Sequence, residues 1–122
     1  MNRPSHKEIS RKIYQAKEAL SAKQIFLVNA VSIAADVLEL GFAVDELSQI
    51  LFDLLGEITP EDYAGHYPPQ SSYENEILAC ELFPFKWISR RLGCAVYLKY
   101  ALKNDQLWIV SLHEDRGKRV KK

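Results

Sequence analysis

Apolar residues recur about every three to four positions through the first half of the chain, which is the spacing of a helix with one buried face. The first run follows a Ser-x-x-Glu capping box at residues 5–8 and predicts a helix over 6–21. Two later runs predict helices that end near Gly41 and Gly56. A short apolar run at 25–28 fits either a brief strand or the entry to the second helix.

The pattern changes after the third helix. Thr59 and Pro60 predict one more helical turn, because threonine suits the N-cap and proline the first helical position. The segment 65–72 contains a Pro-Pro pair and predicts an irregular loop. Apolar and aromatic residues over 77–85 then predict a strand, and the basic segment 86–93 predicts a connection.

The clearest β signal lies near the end of the chain. Residues 95–102 and 107–113 predict two strands of a hairpin around Asn104 and Asp105. Helices followed by strands indicate an α+β fold. We therefore expect N-terminal helices packed on a small C-terminal antiparallel β-sheet.

Burial decides which register the hairpin is expected to adopt. A three-residue loop (104–106) pairs Tyr97 with His113 and Lys99 with Ser111, and it leaves one face wholly apolar; a two-residue loop mixes polar and apolar groups on both faces. The three-residue loop is therefore the predicted one. The apolar face then consists of Val96, Leu98, Tyr100, Leu102, Trp108, Val110 and Leu112.

Length and composition agree with one small domain. The chain has 122 residues, of which 48% are hydrophobic, and this suits a single core spanning 1–122, with a frayed basic tail at 116–122. The apolar runs are interrupted by polar residues and no apolar signal core follows the basic N-terminus, so we expect a cytoplasmic protein without a membrane partner. Two cysteines and three histidines without a CxxC motif predict neither a disulfide framework nor a metal site.

The formal net charge of zero conceals a strong asymmetry. Residues 24–85 contain eleven Asp and Glu but no Lys or Arg, whereas residues 86–122 contain ten Lys and Arg. A basic end suits a phosphate-binding surface, and an acidic middle suits a basic partner. Ordinary solvation of the surface explains the same charges, so both interpretations stay open.

The predicted register gathers groups that are suited to phosphodiester chemistry. Imidazole exchanges protons near neutral pH, a lysine stabilises charge on a phosphate, and a tyrosine orients a phosphate or stacks on a base. In RNA the 2′-OH is the nucleophile, so no metal or cofactor is required. We take His66, Tyr97 and His113 as candidate catalytic residues; the candidate RNA-binding residues are Lys86, Arg90, Arg91 and Lys99. A solvated Tyr-Lys-His surface without function is the alternative.

The stretch from about residue 29 to 115 resembles the MqsR (motility-quorum-sensing-regulator) toxins, a family of RelE-like messenger-RNA interferases. That family's helix pair and acidic-aromatic turn are similar to NAVSIAADVLELGFAVDELSQILFDLLGEITPEDY, and its middle strand is similar to ELFPF. Its final hairpin is similar to VYLKYAL followed by LWIVSLHED. The resemblance covers about two thirds of the chain and depends on the order of these pieces.

The resemblance implies a RelE-like fold, metal-independent RNA cleavage, and neutralisation by a cognate antitoxin. Tyr97 matches a tyrosine that the family uses at its site. His113 stands where the family has a functional lysine, Ala64 and His66 lie in the turn that supplies another lysine, and Cys80 lies near the position of a functional glutamine. The architecture therefore matches more closely than the site.

Two functions follow from these departures. The first is a type II toxin, an endoribonuclease whose histidines have replaced lysines as the acid and base, with messenger RNA as its substrate and an antitoxin as its partner. The second is a catalytically inactive RelE-like protein that binds RNA or a regulatory protein. The separation of His66, Tyr97 and His113 in three dimensions bears on this choice.

Overall fold

The computed structural model describes residues 6–66 and 68–115. Its main elements within these residues are three helices and four strands, in an α+β arrangement. The predicted tail at 116–122 lies outside the described residues, as does Ser5 of the capping box. The helices are α1 (His6–Ser21), α2 (Ala30–Glu39) and α3 (Leu47–Glu57); the strands are β1 (Ile25–Leu27), β2 (Leu82–Ser89), β3 (Cys94–Lys103) and β4 (Gln106–Glu114).

The helical predictions are confirmed. Asn29 caps α2 by accepting a hydrogen bond from the Ser32 amide at 3.0 Å, and Gly41 follows that helix with a φ of +100°. The turn that was predicted at Thr59 is a short 3-10 helix at Pro60–Asp62. No helix among the described residues has both the length and the apolar character needed to cross a bilayer.

The four strands form one sheet in the order β1-β4-β3-β2. Strands β2, β3 and β4 are antiparallel, as predicted, but β1 is parallel to β4. The expectation of a purely antiparallel C-terminal sheet is therefore wrong at this edge. The short apolar run at 25–28, which fitted a strand or a helix entry, supplies the added strand.

The helices pack on one face of the sheet, which we call the covered face. Alternate residues of β3 point into this core, and Val96, Leu98 and Tyr100 have no exposed surface. Tyr100 keeps its hydroxyl satisfied by donating a hydrogen bond to the Lys12 carbonyl of α1 at 3.1 Å. The opposite side of the sheet, the open face, carries the other residues of each strand.

The position of β2 corrects the prediction for 77–93. The strand begins at Leu82 and continues through Lys86 to Ser89, so the expected strand at 77–85 and the expected connection at 86–93 are both displaced. Ile77 ends a 3-10 turn instead, and Ala79 has a φ of +68°, which an extended strand does not accommodate.

The hairpin turn also differs from the prediction, although the pairing at the candidate site does not. Asn104 and Asp105 have φ angles of +50° and +64° and form a two-residue turn, which pairs Lys103 with Gln106. A bulge at Val110 then shifts the register by one residue. The predicted three-residue loop is therefore wrong, but the shift that burial requires is present within β4.

This bulge exchanges the predicted faces of the first half of β4. Leu107 and Ile109 are fully buried in the core of the covered face, while Trp108 and Val110 pack in a smaller cluster. That cluster includes Ile77 and Leu82 from the far end of an overlying loop, residues 68–81, and the start of β2. The overlying loop therefore covers part of the open face and leaves the remainder accessible.

Candidate functional site

The candidate site is centred on a pair of rings across β3 and β4. Tyr97 and His113 are register partners, as the sequence predicted, and their rings stack with centroids 5.2 Å apart and an interplanar angle of 27°. Both side chains are half-buried. A phenol and an imidazole therefore share one patch of the open face.

The hydrogen bond of His113 fixes which ring nitrogen is available. Nδ1 lies 2.9 Å from the carbonyl oxygen of Glu114. Because a carbonyl only accepts hydrogen bonds, Nδ1 carries the proton of this contact. In the neutral ring Nε2 then has a free lone pair, which is the arrangement that a general base requires.

The hydroxyl of Tyr97 remains protonated at neutral pH. Burial, followed by the negative charge of Asp115, raises the pKa of the Tyr97 phenol above its ordinary value. A neutral phenol donates a hydrogen bond and does not serve as a base. The position suits orientation of a phosphate oxygen.

Two lysines lie beside Tyr97 on the open face. Lys86 pairs with Tyr97 across β2 and β3, and its Nζ lies 5.9 Å from the centre of the tyrosine ring. Lys99 pairs with Ser111 and is half-buried. These two ammonium groups give this end of the open face the positive charge that an anionic ligand needs.

His66 approaches the same patch from the turn after the 3-10 helix. The Tyr63 hydroxyl donates a hydrogen bond to the His66 carbonyl at 2.7 Å within this turn, and the Ala64 amide joins the turn to β2 by donating to the Pro84 carbonyl at 2.9 Å. Gly65 allows the close approach, since a Cβ at this position would lie 2.5 Å from the Tyr63 oxygen and 2.8 Å from Pro84 Cδ. The turn is therefore fixed by packing beneath it.

A cavity of about 100 Å³ lies between this turn and the sheet. His66, Tyr97 and Lys99 line it, so three of the predicted residues meet there. His113 is not in the lining and contacts the site through the ring of Tyr97. The structure thus places His66 in a cavity that Tyr97 also lines, while His113 stacks on Tyr97 outside that lining.

The two arginines are placed differently. Arg91 Nε forms an ion pair with Asp53 of α3 at 2.9 Å, and the Arg91 amide donates to the Glu57 carboxylate at 2.8 Å. Arg90 is exposed in the turn between β2 and β3. The structure does not bring Arg91 to the cavity, and its role in RNA binding stays a prediction.

The sequence prediction missed several residues at the site. Gln70 and Pro84 line the cavity, and Asp115 acts on Tyr97 through its charge. The alternation of β2 was the signal that would have placed Pro84, because it pairs with Lys99. Gln70 comes from the overlying loop, whose path no periodicity describes.

The described residues contain no group of three or more His, Cys, Asp or Glu side chains arranged to hold a metal ion. Both cysteines are free and half-buried. Comparison with protein-family models finds no family that matches the chain, and comparison with curated proteins finds no significant relative. The likeness to RelE-like toxins therefore depends on the residues quoted above.

Proposed function

We propose that this protein is a RelE-like endoribonuclease, the toxin of a type II toxin–antitoxin pair. The observation that supports this most directly is the stacked Tyr97–His113 pair, which stands beside a cavity lined by His66 and Lys99. It combines two imidazoles, a neutral phenol and an ammonium group within one patch. These are the groups that RNA cleavage through the 2′-OH requires.

The proposed reaction is an internal transphosphorylation. Nε2 of His113 accepts the proton of the 2′-OH, the 2′-oxygen forms a bond to phosphorus, and the bond from phosphorus to the 5′-oxygen breaks. His66 as an imidazolium gives its proton to that leaving oxygen. The products are a 2′,3′-cyclic phosphate and a 5′-hydroxyl, and no group outside the protein and the RNA is consumed.

The other residues bind and orient the phosphate in this scheme. Tyr97 donates a hydrogen bond to a non-bridging oxygen, since its raised pKa keeps the phenol protonated. Lys99 stabilises the charge that develops on phosphorus oxygens, and Lys86 holds an adjacent phosphate. Arg90 stays a candidate for a phosphate further along the strand, whereas Arg91 is paired with Asp53 and would bind a phosphate only by leaving that carboxylate.

The test is incubation of purified protein with RNA in the presence of a chelator. We expect cleavage by wild type and a loss of about 100-fold or more in His113→Ala, because general acid–base catalysis contributes about that much. The matched control is His6→Ala, which removes an exposed histidine at the start of α1. A substrate with 2′-deoxyribose at the cleaved position should resist cutting.

Two results would contradict the proposal. The first is equal inertness of wild type and His113→Ala across pH 5 to 9. The second is equal activity of these two proteins. RNA that is retained without being cut, with binding that weakens steeply as salt rises, would favour the catalytically inactive binding protein instead.

The proposed partner is a cognate antitoxin. The acidic segment 24–85 supports a partner with basic character, because its eleven carboxylates face no Lys or Arg of the same segment. Coexpression with the product of a small neighbouring gene should give a salt-sensitive complex and relieve growth inhibition. Growth inhibition that persists despite a formed complex would contradict neutralisation.

A further inference from the structure

The open face carries a second stacked aromatic pair, at the other end of β4. Phe26 of β1 and Trp108 of β4 are register partners, and their rings stack with centroids 5.0 Å apart and an interplanar angle of 23°. Phe26 keeps 36% of its surface exposed. We call these two residues the aromatic platform.

The backbone fixes the platform on the sheet. β1 is joined to β4 by hydrogen bonds at both of its ends, from the Leu107 amide to the Gln24 carbonyl at 2.8 Å and from the Val28 amide to the Ile109 carbonyl at 3.0 Å. The Trp108 indole donates to Gln106 at 2.9 Å, which holds its ring. The platform is therefore preformed, with Phe26 as its more exposed ring and Trp108 half-buried against the smaller cluster under the overlying loop.

The platform and the Tyr97–His113 pair lie on the same face of one strand. Trp108 and His113 are five positions apart on β4, and a rise of about 3.3 Å per residue puts the two aromatic pairs about 15 Å apart. Ser111 and the half-buried Lys99 lie between them. An extended chain of alternating bases and phosphates matches this order of aromatic, cationic and aromatic groups.

We propose that the aromatic platform binds a base of single-stranded nucleic acid several nucleotides away from the phosphate at Tyr97 and His113. The inference rests on the proposed function in taking RNA as the ligand of the Tyr97 end. Base–aromatic stacking tolerates any base, so the platform selects unpaired strands of sufficient length and not a sequence. A duplex, whose bases are stacked on one another, does not engage it.

Tryptophan fluorescence makes the test independent of cleavage. The chain has two tryptophans, so Trp87→Phe leaves Trp108 as the single reporter. The probes are single DNA strands of eight and of two nucleotides, an octamer and a dimer. Both lack the 2′-OH and are not cut. We expect saturable quenching by the octamer, no comparable quenching by the dimer, and anisotropy of a labelled octamer that reports the same affinity.

Substitutions in this background separate stacking from packing. Phe26→Leu should weaken octamer binding about fivefold or more, because stacking requires a ring. Phe26→Tyr keeps a ring and should bind the octamer as tightly as the parent protein. Phe52→Leu is the matched control, since Phe52 is an aromatic on α3 with 62% of its surface exposed. Thermal unfolding of each variant identifies any loss of octamer affinity that comes from a weakened fold. Where Phe26→Leu is destabilised, the affinity of Phe26→Tyr decides whether the ring is needed for binding.

The results distinguish this inference from the proposed function. The platform is overturned if the octamer binds without changing Trp108 fluorescence and if Phe26→Leu binds it with unchanged affinity. This holds even where His113-dependent cleavage is observed. Quenching that Phe26→Leu abolishes supports the platform, even where wild type cuts no RNA. Absence of octamer binding in both assays overturns the platform, while the cleavage assay continues to decide the function.

Discussion

The covered and open faces of the sheet are made from alternate residues of the same strands, yet they differ in chemistry. On β3, Leu98 and Tyr100 have no exposed surface, whereas the intervening Lys99 lines a cavity. The two tyrosines of this strand show the difference best. Tyr100 is buried and donates a hydrogen bond to the Lys12 carbonyl, while Tyr97 stacks on His113 with part of its surface accessible.

The difference shows that one strand can bury apolar side chains on one side and present polar side chains to a cavity on the other. Residues of the covered face stabilise the folded protein by burying apolar surface, and a buried face tolerates few polar groups. Residues of the open face keep polar groups at the surface, where a ligand can reach them. Substitutions on the two faces should therefore separate stability from activity.

The largest expected effect is on stability at the covered face. Leu98→Ala should lower the free energy of unfolding by about 2–5 kcal/mol, because the side chain is fully buried and its removal leaves a cavity. The neighbouring Lys99→Ala is the control on the open face and should change it by less than about 1 kcal/mol. Urea unfolding measures both, and equal losses would contradict the division into two faces.

The sequence predicted the helices and the β3 side of the covered face. It was wrong for the first half of β4, where Leu107 and Ile109, and not Trp108, are buried in the main core. Apolar residues at helical spacing placed the three helices. The requirement for one apolar face placed Tyr97 across from His113, although the turn was wrong. Val110 fits either face by its side chain, so no pattern revealed that the extra residue lies in β4 and not in the turn.

The open face was predicted less completely, because its groups are brought together by tertiary contacts. Lys86 suggested a basic connection, although Phe85 and Trp87 alternate with it in a strand. His66 is placed by the hydrogen bond from Tyr63 to its carbonyl, which joins residues of an irregular turn. The charge and composition of a loop do not predict which of its residues such a hydrogen bond brings together.

The next largest effect should come from the turn that carries His66. Gly65→Ala should cost about 1–3 kcal/mol and lower RNA cleavage, because the new methyl group collides with Tyr63 and Pro84. Gly56→Ala in α3 is the matched control, since its added Cβ would meet no atom within 4 Å apart from its chain neighbours and the backbone of its own helix. We expect it to be neutral or slightly stabilising in thermal unfolding, with cleavage unchanged.

Two results would oppose this interpretation of Gly65. Unaltered cleavage by Gly65→Ala would mean that the position of the turn does not matter for the site. Equal losses in Gly65→Ala and Gly56→Ala would point to a general effect of the added methyl group.

The two tyrosines of β3 allow a smaller and more specific test. Tyr100→Phe should cost about 1 kcal/mol, the usual contribution of one hydrogen bond, and leave RNA cleavage unchanged. Tyr97→Phe should lower cleavage by removing a donor to the phosphate while changing stability less. Chemical unfolding should show the larger loss of stability in Tyr100→Phe, and cleavage rates should show the larger loss of activity in Tyr97→Phe. Equal losses of both properties in the two variants would contradict the comparison.

Alkaline pH extends this test. Burial raises the pKa of the Tyr100 phenol, whereas in the unfolded chain a tyrosine ionises near pH 10. The stability that depends on the neutral phenol is fully present below about pH 10 and is lost as pH rises further, because only the unfolded state then releases the proton. Tyr100→Phe should flatten this part of the stability profile.

The smallest effect should come from the ion pair that joins the β2–β3 turn to α3. Arg91→Ala removes one ion pair with Asp53 that is largely at the surface, so unfolding should change by less than about 1 kcal/mol. Octamer binding should be nearly unaffected because this arginine is engaged beside α3. Lys86→Ala, which removes the ammonium next to Tyr97, should weaken binding and reduce its dependence on salt. If Arg91→Ala weakened binding as much as Lys86→Ala, the RNA surface would extend from the open face around the β2–β3 turn, and Arg91 would exchange Asp53 for a phosphate.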